Sequence, residues 1–229
     1  MKFFTKELYE KMQVSGYLIY WDNEEELEEI RETYKEDGMD YDRIGMENFE
    51  QVKPLLLKYL PDSLKQGVYD GSLINTKIPP RELLSEINTY VDSINNEWKE
   101  GRKAYINQYK AIEKFLPKRV IRYDKSYSFH DATILSLNRP RSDVLELFLD
   151  CSGCMLYQGK CLLKFSGVTL FEMTEDIVGS DWLYGEFHLS DRGNFELQVL
   201  LYNRNSSELV PLLELRLVAD DMLIKRARE

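Results

Sequence analysis

The chain has 229 residues, of which 43% are hydrophobic and 31% charged, a composition typical of a soluble globular protein. Thirty basic and forty acidic residues leave a net charge of −10, which disfavours nucleic-acid binding because phosphate contacts need excess Lys and Arg. No apolar run approaches the ~18 residues of a membrane span, and Glu7 precedes any apolar signal core. Three cysteines do not make a disulfide framework. Membrane, secreted and collagen-like classes are excluded, and a cytoplasmic protein is predicted.

The negative charge is concentrated in residues 22–50, which contain thirteen acids and three bases and therefore carry the whole net charge. A local field of this kind can orient an encounter with a cationic partner. The competing interpretation is an acidic helix with a solvated face. The glutamates predicted to contact a partner are Glu24, Glu25, Glu28, Glu29, Glu32 and Glu36.

Helical spacing dominates the chain before residue 120. Phe4, Leu8 and Met12 recur every four residues and predict a short first helix after Thr5. The aromatic run Tyr17–Trp21 is compatible with a short strand or a buried connector.

Capping signals predict the next two helices. Asn23 and Glu26 form a capping-box pattern that opens a helix ended by Gly38. A following helix is predicted with Pro54 near its start and Pro61 at its end.

Apolar residues at steps of three or four predict one long helix from Pro80 to Leu116. Unbroken, it would be about 55 Å long at ~1.5 Å per residue, unless Gly101 bends it. Its apolar stripe would pack against the earlier helices or, alternatively, against a second copy in a coiled coil.

After Pro117 the hydrophobic period becomes two, which predicts seven or eight short strands. Close connections without helices favour antiparallel pairing. The predicted class is therefore α+β, with a helical region at 1–118 and an antiparallel β domain at 119–229. The sheet would be folded over as a sandwich or half-barrel, or covered on one face by the helices.

Three groups of residues could carry chemistry. Cys151, Cys154 and Cys161 would need His130 or His188 as a fourth zinc ligand, and burial as structural thiols explains Cys151 and Cys161 without metal. His130 and Asp131 precede the first strand and form a candidate polar site, in which the carboxylate could hold the imidazole tautomer.

His188 is predicted to share a strand face with Trp182, Tyr184 and Glu186. That face would be either a partner-binding surface or the polar part of a sheet under the N-terminal helices.

The sequence contains no phosphate loop, dinucleotide fingerprint, nucleophile elbow or metalloprotease helix. It therefore predicts no catalytic residue, no resident metal and no cofactor, and it favours a non-enzymatic interaction protein. The alternative is a metal-dependent hydrolase that uses His130 and Asp131. No oligomeric state is indicated.

Several strings resemble an uncharacterised domain-of-unknown-function family of Gram-positive bacteria. They lie at residues 1–16, 129–134, 149–153, 165–168 and 182–184. The resemblance spans nearly the whole chain and implies a cytoplasmic bacterial protein without a known activity. Cys154 departs from it, standing where a second glycine is expected.

The second half also resembles sheet domains of toxin-immunity proteins, in which a His-Asp pair opens the first strand. This similarity implies an inhibitor. The localised charge and the missing catalytic motifs favour the version in which its acidic segment, residues 22–50, occupies a basic toxin surface.

Overall fold

The computed structural model describes residues 1–126 and 128–226 and contains two compact units. The helical unit comprises Glu7–Glu100, and the sheet unit comprises Met1–Lys6 together with the chain from Gly101 onward. The architecture is α+β, as the sequence predicts, with helices followed by an antiparallel sheet. The sequence predicts two domains, at 1–118 and 119–229. Whether each of these segments folds by itself is not tested by the structure, so the two limits stay a prediction.

Helices make up most of the helical unit and the first part of the sheet unit. They run over Lys6–Tyr17 (α1), Glu24–Glu36 (α2), Tyr41–Tyr59 (α3), Asp62–Tyr69 (α4), Arg81–Ile112 (α5) and Lys118–Ser126 (α6). A 3-10 turn at Glu113–Phe115 follows α5, and the boundary between the units falls inside α5 at Gly101. Within the described ranges, no helix combines the length and apolar character needed to cross a membrane.

The start of α2 confirms the predicted cap. The Glu26 amide donates to the Asn23 side chain at 2.9 Å, and the Asn23 amide group donates to the Glu26 carboxylate at 3.0 Å. Both contacts satisfy polar groups at the first turn, where the helix has no backbone partners of its own. The helix is anchored to the core of the helical unit by Leu27, which is buried.

The next helix differs from its prediction because Pro54 lies in the interior of α3. The helix begins at Tyr41, where Asp40 accepts a hydrogen bond from the Arg43 amide at 3.0 Å. This side-chain cap starts the helix far upstream of the proline. Pro54 removes one backbone hydrogen bond, while Phe49 and Leu56 remain buried on either side of it.

The Tyr17–Trp21 run forms a connector rather than a strand. The first helix, α1, ends at Tyr17, and α2 does not begin until Glu24. Leu18 is buried, whereas Ile19 is 70% exposed. The connector therefore buries Leu18 and presents Ile19 to solvent, while Tyr20 and Trp21 are partly buried.

All eight strand regions predicted from the sequence are present and pair antiparallel in one sheet. The order across the sheet is β4-β7-β6-β5-β1-β2-β3-β8. The strands run over Thr133–Arg141 (β1), Val144–Asp150 (β2), Lys160–Ser166 (β3), Leu170–Met173 (β4), Asp181–Leu189 (β5), Phe195–Tyr202 (β6), Leu212–Ala219 (β7) and Asp221–Arg226 (β8).

The sheet is folded over on itself. Only Asp220 separates β7 from β8, although β7 is second in the order and β8 is last. Strands lie ~4.8 Å apart, so a flat sheet would place these two far beyond the reach of one residue. The two halves, β4-β7-β6-β5 and β1-β2-β3-β8, therefore face one shared core. Its fully buried members include Leu147 and Leu163 from one half and Leu197 and Leu215 from the other.

The sequence did not predict α6, which follows Pro117 where strands were expected. The Val120 and Ile121 amides donate to the Pro117 carbonyl and form the first turn. Val120 and Tyr123 are buried in the core of the sheet unit. A helix of nine residues with two described buried positions gives only a weak helical period, and tertiary packing stabilises it.

Candidate functional site

The acidic face of α2 concentrates exposed negative charge in the helical unit. All six glutamates predicted to contact a partner are exposed. Glu28 pairs with Arg31 at 3.3 Å and Glu32 with Lys35 at 3.2 Å. The remaining members of the set form no ion pair within the described residues. These four are Glu24, Glu25, Glu29 and Glu36.

The acids of α3 are arranged differently. Asp42 lies 3.3 Å from Arg31. Glu47 lies 2.7 Å from Arg43, and Glu50 lies 3.1 Å from Lys53. Because α2 and α3 pack against each other, Arg31 of α2 reaches an acid of α3. The acids of α3 are therefore paired with basic residues, whereas α2 keeps a net negative surface.

A cleft of about 380 Å³ lies beside the start of α2, entirely inside the helical unit. Sequence reasoning missed it, because its wall combines the connector with the first residue of α3. The signal available was the aromatic content of the Tyr17–Trp21 run. The lining side chains with an aromatic ring or a carboxylate are Tyr17, Tyr20, Trp21, Asp22, Glu26 and Tyr41.

His130 and Asp131 lie in the turn before β1, in the sheet unit, as predicted. Their Nδ1 and Oδ2 atoms are 2.9 Å apart, and both side chains are about half exposed. Asp131 has φ +70°, and its amide donates to the Trp182 carbonyl at 2.9 Å. The His130 ring meets Tyr184 edge-on at 5.4 Å. The structure thus brings the pair together at a tight, exposed turn.

Within the described residues, the structure places no third metal ligand beside His130 and Asp131. Across the described ranges, no group of three or more His, Cys, Asp and Glu residues is placed to hold a metal ion. Burial raises the pKa of the Tyr184 hydroxyl, and the nearby Asp131 carboxylate raises it further. Tyr184 therefore stays protonated at neutral pH and adds no negative ligand.

The three cysteines are free thiols buried in the core of the sheet unit. The Sγ atoms of Cys151 and Cys161 are 3.7 Å apart. Their hydrogen bond, together with burial, raises the pKa of the Cys151 thiol, and burial raises that of Cys154 to about 12. Protonated thiols are weak nucleophiles and weak metal ligands, which agrees with a structural role.

Glu186 is a fully buried carboxylate that fastens residues 2–4 to β5. It accepts backbone hydrogen bonds from Lys2 at 3.0 Å, Phe3 at 2.8 Å and Phe4 at 2.7 Å. The His188 Nε2 atom lies 2.8 Å from its second oxygen. Burial opposes ionisation, but His188 and the three amides outweigh it and lower the pKa of Glu186. This polar cluster is therefore internal to the sheet unit.

The predicted shared face of β5 is divided by a bulge. The register with β6 shifts between Trp182 and Tyr184, and a shift by one residue moves side chains to the opposite face. Trp182 consequently lies in the core with Phe187, separated from Glu186 and His188. Prediction from alternation alone assumed a regular strand.

Comparison with known proteins identifies a family for this chain. The model of a family described as "Protein of unknown function (DUF4085)" matches residues 3–207, and this confirms the resemblance to an uncharacterised family. No curated protein and no solved structure shows a significant match to the chain. The match spans most of both units and carries no activity with it.

Proposed function

We propose that this chain, which belongs to the DUF4085 family of proteins of unknown function, is an interaction module that binds a basic protein partner through α2. The observation that carries the proposal is the set of four exposed, unpaired glutamates on that helix: Glu24, Glu25, Glu29 and Glu36. Charges satisfied inside a fold contribute little to an encounter, whereas unpaired surface charges steer a partner of opposite sign.

A narrower form of the proposal is an immunity-type inhibitor in the bacterial cytoplasm. The acidic segment at residues 22–50 would then cover a basic toxin surface. Its support is the resemblance of the second half to sheet domains of immunity proteins, together with the localised charge. Fold-level similarity alone does not define a function, so the partner has to be identified directly.

The test captures partners from a lysate of the source organism and then measures Kd with the purified partner. The variant replaces the four unpaired glutamates of α2 with Gln. At about 0.5 kcal/mol for each exposed charge, we expect binding to weaken about thirty-fold. The wild-type Kd should also rise with salt, because screening shortens the reach of surface charge.

A matched control removes four exposed acids elsewhere and should leave Kd within about two-fold of the wild type, because exposed pair energies are small. Its substitutions are Glu82→Gln, Glu86→Gln, Asp92→Asn and Glu175→Gln. Equal affinity of the α2 variant and the control, or binding insensitive to salt, would contradict the proposal.

The second candidate function is a metal-dependent hydrolase at His130 and Asp131. The 2.9 Å contact between the two side chains favours it, since a carboxylate can orient a metal-binding imidazole. A titration with Zn²⁺, monitored by isothermal calorimetry, tests this function. Stoichiometric binding that is lost in His130→Ala would support the hydrolase, and absence of binding would remove it.

A further inference from the structure

The cleft beside α2 combines aromatic rings with carboxylates. We propose that it binds the guanidinium group of one arginine side chain presented by the protein partner. This inference rests on the proposed function and names the contact that would anchor the partner. With a volume of about 380 Å³, the cleft is at the lower end of the range of small-ligand pockets, a size suited to a single side chain.

Aromatic side chains of the cleft are ordered by hydrogen bonds from their own hydroxyl or indole N–H groups. Trp21 Nε1 donates to the Tyr41 hydroxyl at 2.9 Å, and the Tyr20 hydroxyl donates to the Leu73 carbonyl at 3.0 Å. Tyr34 packs edge-on against the Tyr41 ring at 5.0 Å. Because these side chains are already ordered, little rotamer freedom would be lost when a ligand arrives.

The negative charge of the cleft comes from its two carboxylates. Asp22 is exposed and makes no ion pair within the described residues. Glu26 is half-buried and, among the described residues, accepts a side-chain hydrogen bond from the Asn23 amide alone. No basic residue is among the lining side chains. The cleft therefore has negative charge that a cation of the partner would neutralise.

The tyrosines supply rings and hydroxyls but no charge. Burial raises the pKa of Tyr17 to about 12, and the neighbouring Tyr41 contributes to the shift. Burial also raises the pKa of Tyr20. Both hydroxyls are protonated at neutral pH, so any cation in the cleft meets neutral rings and the two carboxylates.

An arginine side chain fits this combination better than other groups. A planar guanidinium stacks on aromatic rings and also donates hydrogen bonds to carboxylates. The lysine ammonium is a compact, strongly hydrated charge with less stacking. An apolar side chain would remove water from Asp22 and Glu26 without compensation. Ile19, 70% exposed at the cleft, could contact apolar surface next to the arginine.

The test uses the indole N–H signals in proton–nitrogen NMR spectra of the full chain. There are three tryptophans, Trp21, Trp98 and Trp182, and Trp21→Phe assigns the signal of interest. The probe is N-acetyl-arginine amide, and its neutral isostere N-acetyl-citrulline amide is the control. We expect a saturable shift of the Trp21 signal with the arginine probe, no shift with citrulline, and no response of the other two indoles.

Variants then locate the charge that matters. Asp22→Asn with Glu26→Gln should weaken the arginine probe at least five-fold, and Asp22→Asn alone should weaken it while leaving the α2 cap intact. The matched control, Glu29→Gln with Glu36→Gln, removes the same charge from α2 outside the cleft. It should change the affinity less than two-fold at 0.15 M salt, where screening limits the reach of charge to about 8 Å.

The inference would be overturned if the Trp21 signal does not shift with the arginine probe, or if it shifts equally with the citrulline probe. Equal loss of affinity for the arginine probe in the Glu29→Gln, Glu36→Gln control would also overturn it. These results are separable from the proposed function. If Trp21 is silent but neutralising α2 still weakens the partner, only the arginine site fails. If the Trp21 signal shifts but neutralising α2 leaves the affinity of the partner unchanged, the arginine site is supported and the proposed function fails.

Discussion

The helical unit and the sheet unit use carboxylates in opposite ways. In the sheet unit, Glu186 is fully buried, and Glu196 is 5% exposed and lies 2.7 Å from Arg216 Nε. Glu186 is stabilised by backbone amides and His188, and Glu196 by Arg216, all inside that unit. In the helical unit, glutamates of α2 such as Glu25 and Glu29 are exposed and unpaired. The comparison indicates that Glu186 and Glu196 hold the sheet unit together, whereas the exposed acids of α2 are available to a partner.

The largest expected effect is on the buried carboxylate. Glu186→Ala would leave three backbone amides and the His188 ring without their acceptor. Removing one member of a buried, hydrogen-bonded charged group costs about 3 kcal/mol. We therefore expect the free energy of unfolding of the sheet unit to fall by about that amount. Urea unfolding in a Trp21→Phe, Trp98→Phe background measures it, because Trp182 then reports on the sheet unit alone.

The control for this experiment is Glu29→Ala, which alters an exposed, unpaired acid. It should change the same unfolding free energy by less than about 0.5 kcal/mol. A loss below about 1 kcal/mol for Glu186→Ala would contradict the role assigned to the buried carboxylate.

An effect of intermediate size is expected in the pH dependence of the stability that Glu186 contributes to the sheet unit. The pKa of Glu186 is lowered below its ordinary 4.5 in the folded chain. Its ionised form therefore stabilises the fold above pH 4.5, and this stabilisation disappears as pH falls through the lower folded pKa. The stability difference between wild type and Glu186→Gln should be largest near pH 7 and shrink below pH 4.5, as urea titrations at several pH values would show. A difference that grows on acidification would refute this assignment.

The smallest expected effect is on the stability of the helical unit when α2 is neutralised. Replacing the four unpaired glutamates with Gln removes mutual repulsion and breaks no described ion pair. Thermal unfolding followed by circular dichroism should show a change within about 0.5 kcal/mol of the wild type. A large destabilisation would mean that these acids support the fold, and the contrast between the units would be lost.

Local signals in the sequence predicted much of the fold. Alternation with period two located every strand region, and the Asn23–Glu26 pattern located the start of α2, because both depend on neighbouring residues. The errors have equally local causes. The cap at Asp40 was overlooked, so α3 was placed too close to Pro54, and the nine residues of α6 were too few to show a clear period.

The candidate site was predicted in part. The exposed glutamates of α2 and the contact between His130 and Asp131 follow from composition and adjacency. The cleft was not predicted, since Tyr41 reaches Trp21 across 20 residues of sequence. The bulge at Trp182 was not predicted either, because a register shift is defined only by the neighbouring strand.

The amino-acid sequence by itself determined the strand regions, the start of α2, the location of the net charge and the burial of Cys161 within an apolar strand. Tertiary structure alone decided which acids are neutralised. Glu196 pairs with Arg216 across 20 residues of sequence, and Glu186 accepts a hydrogen bond from the Lys2 backbone amide across 184 residues. The folding of β7 and β8 towards each other encloses the shared core. Periodicity and caps arise from neighbouring residues, whereas the pairing of charges depends on contacts that only the folded chain creates.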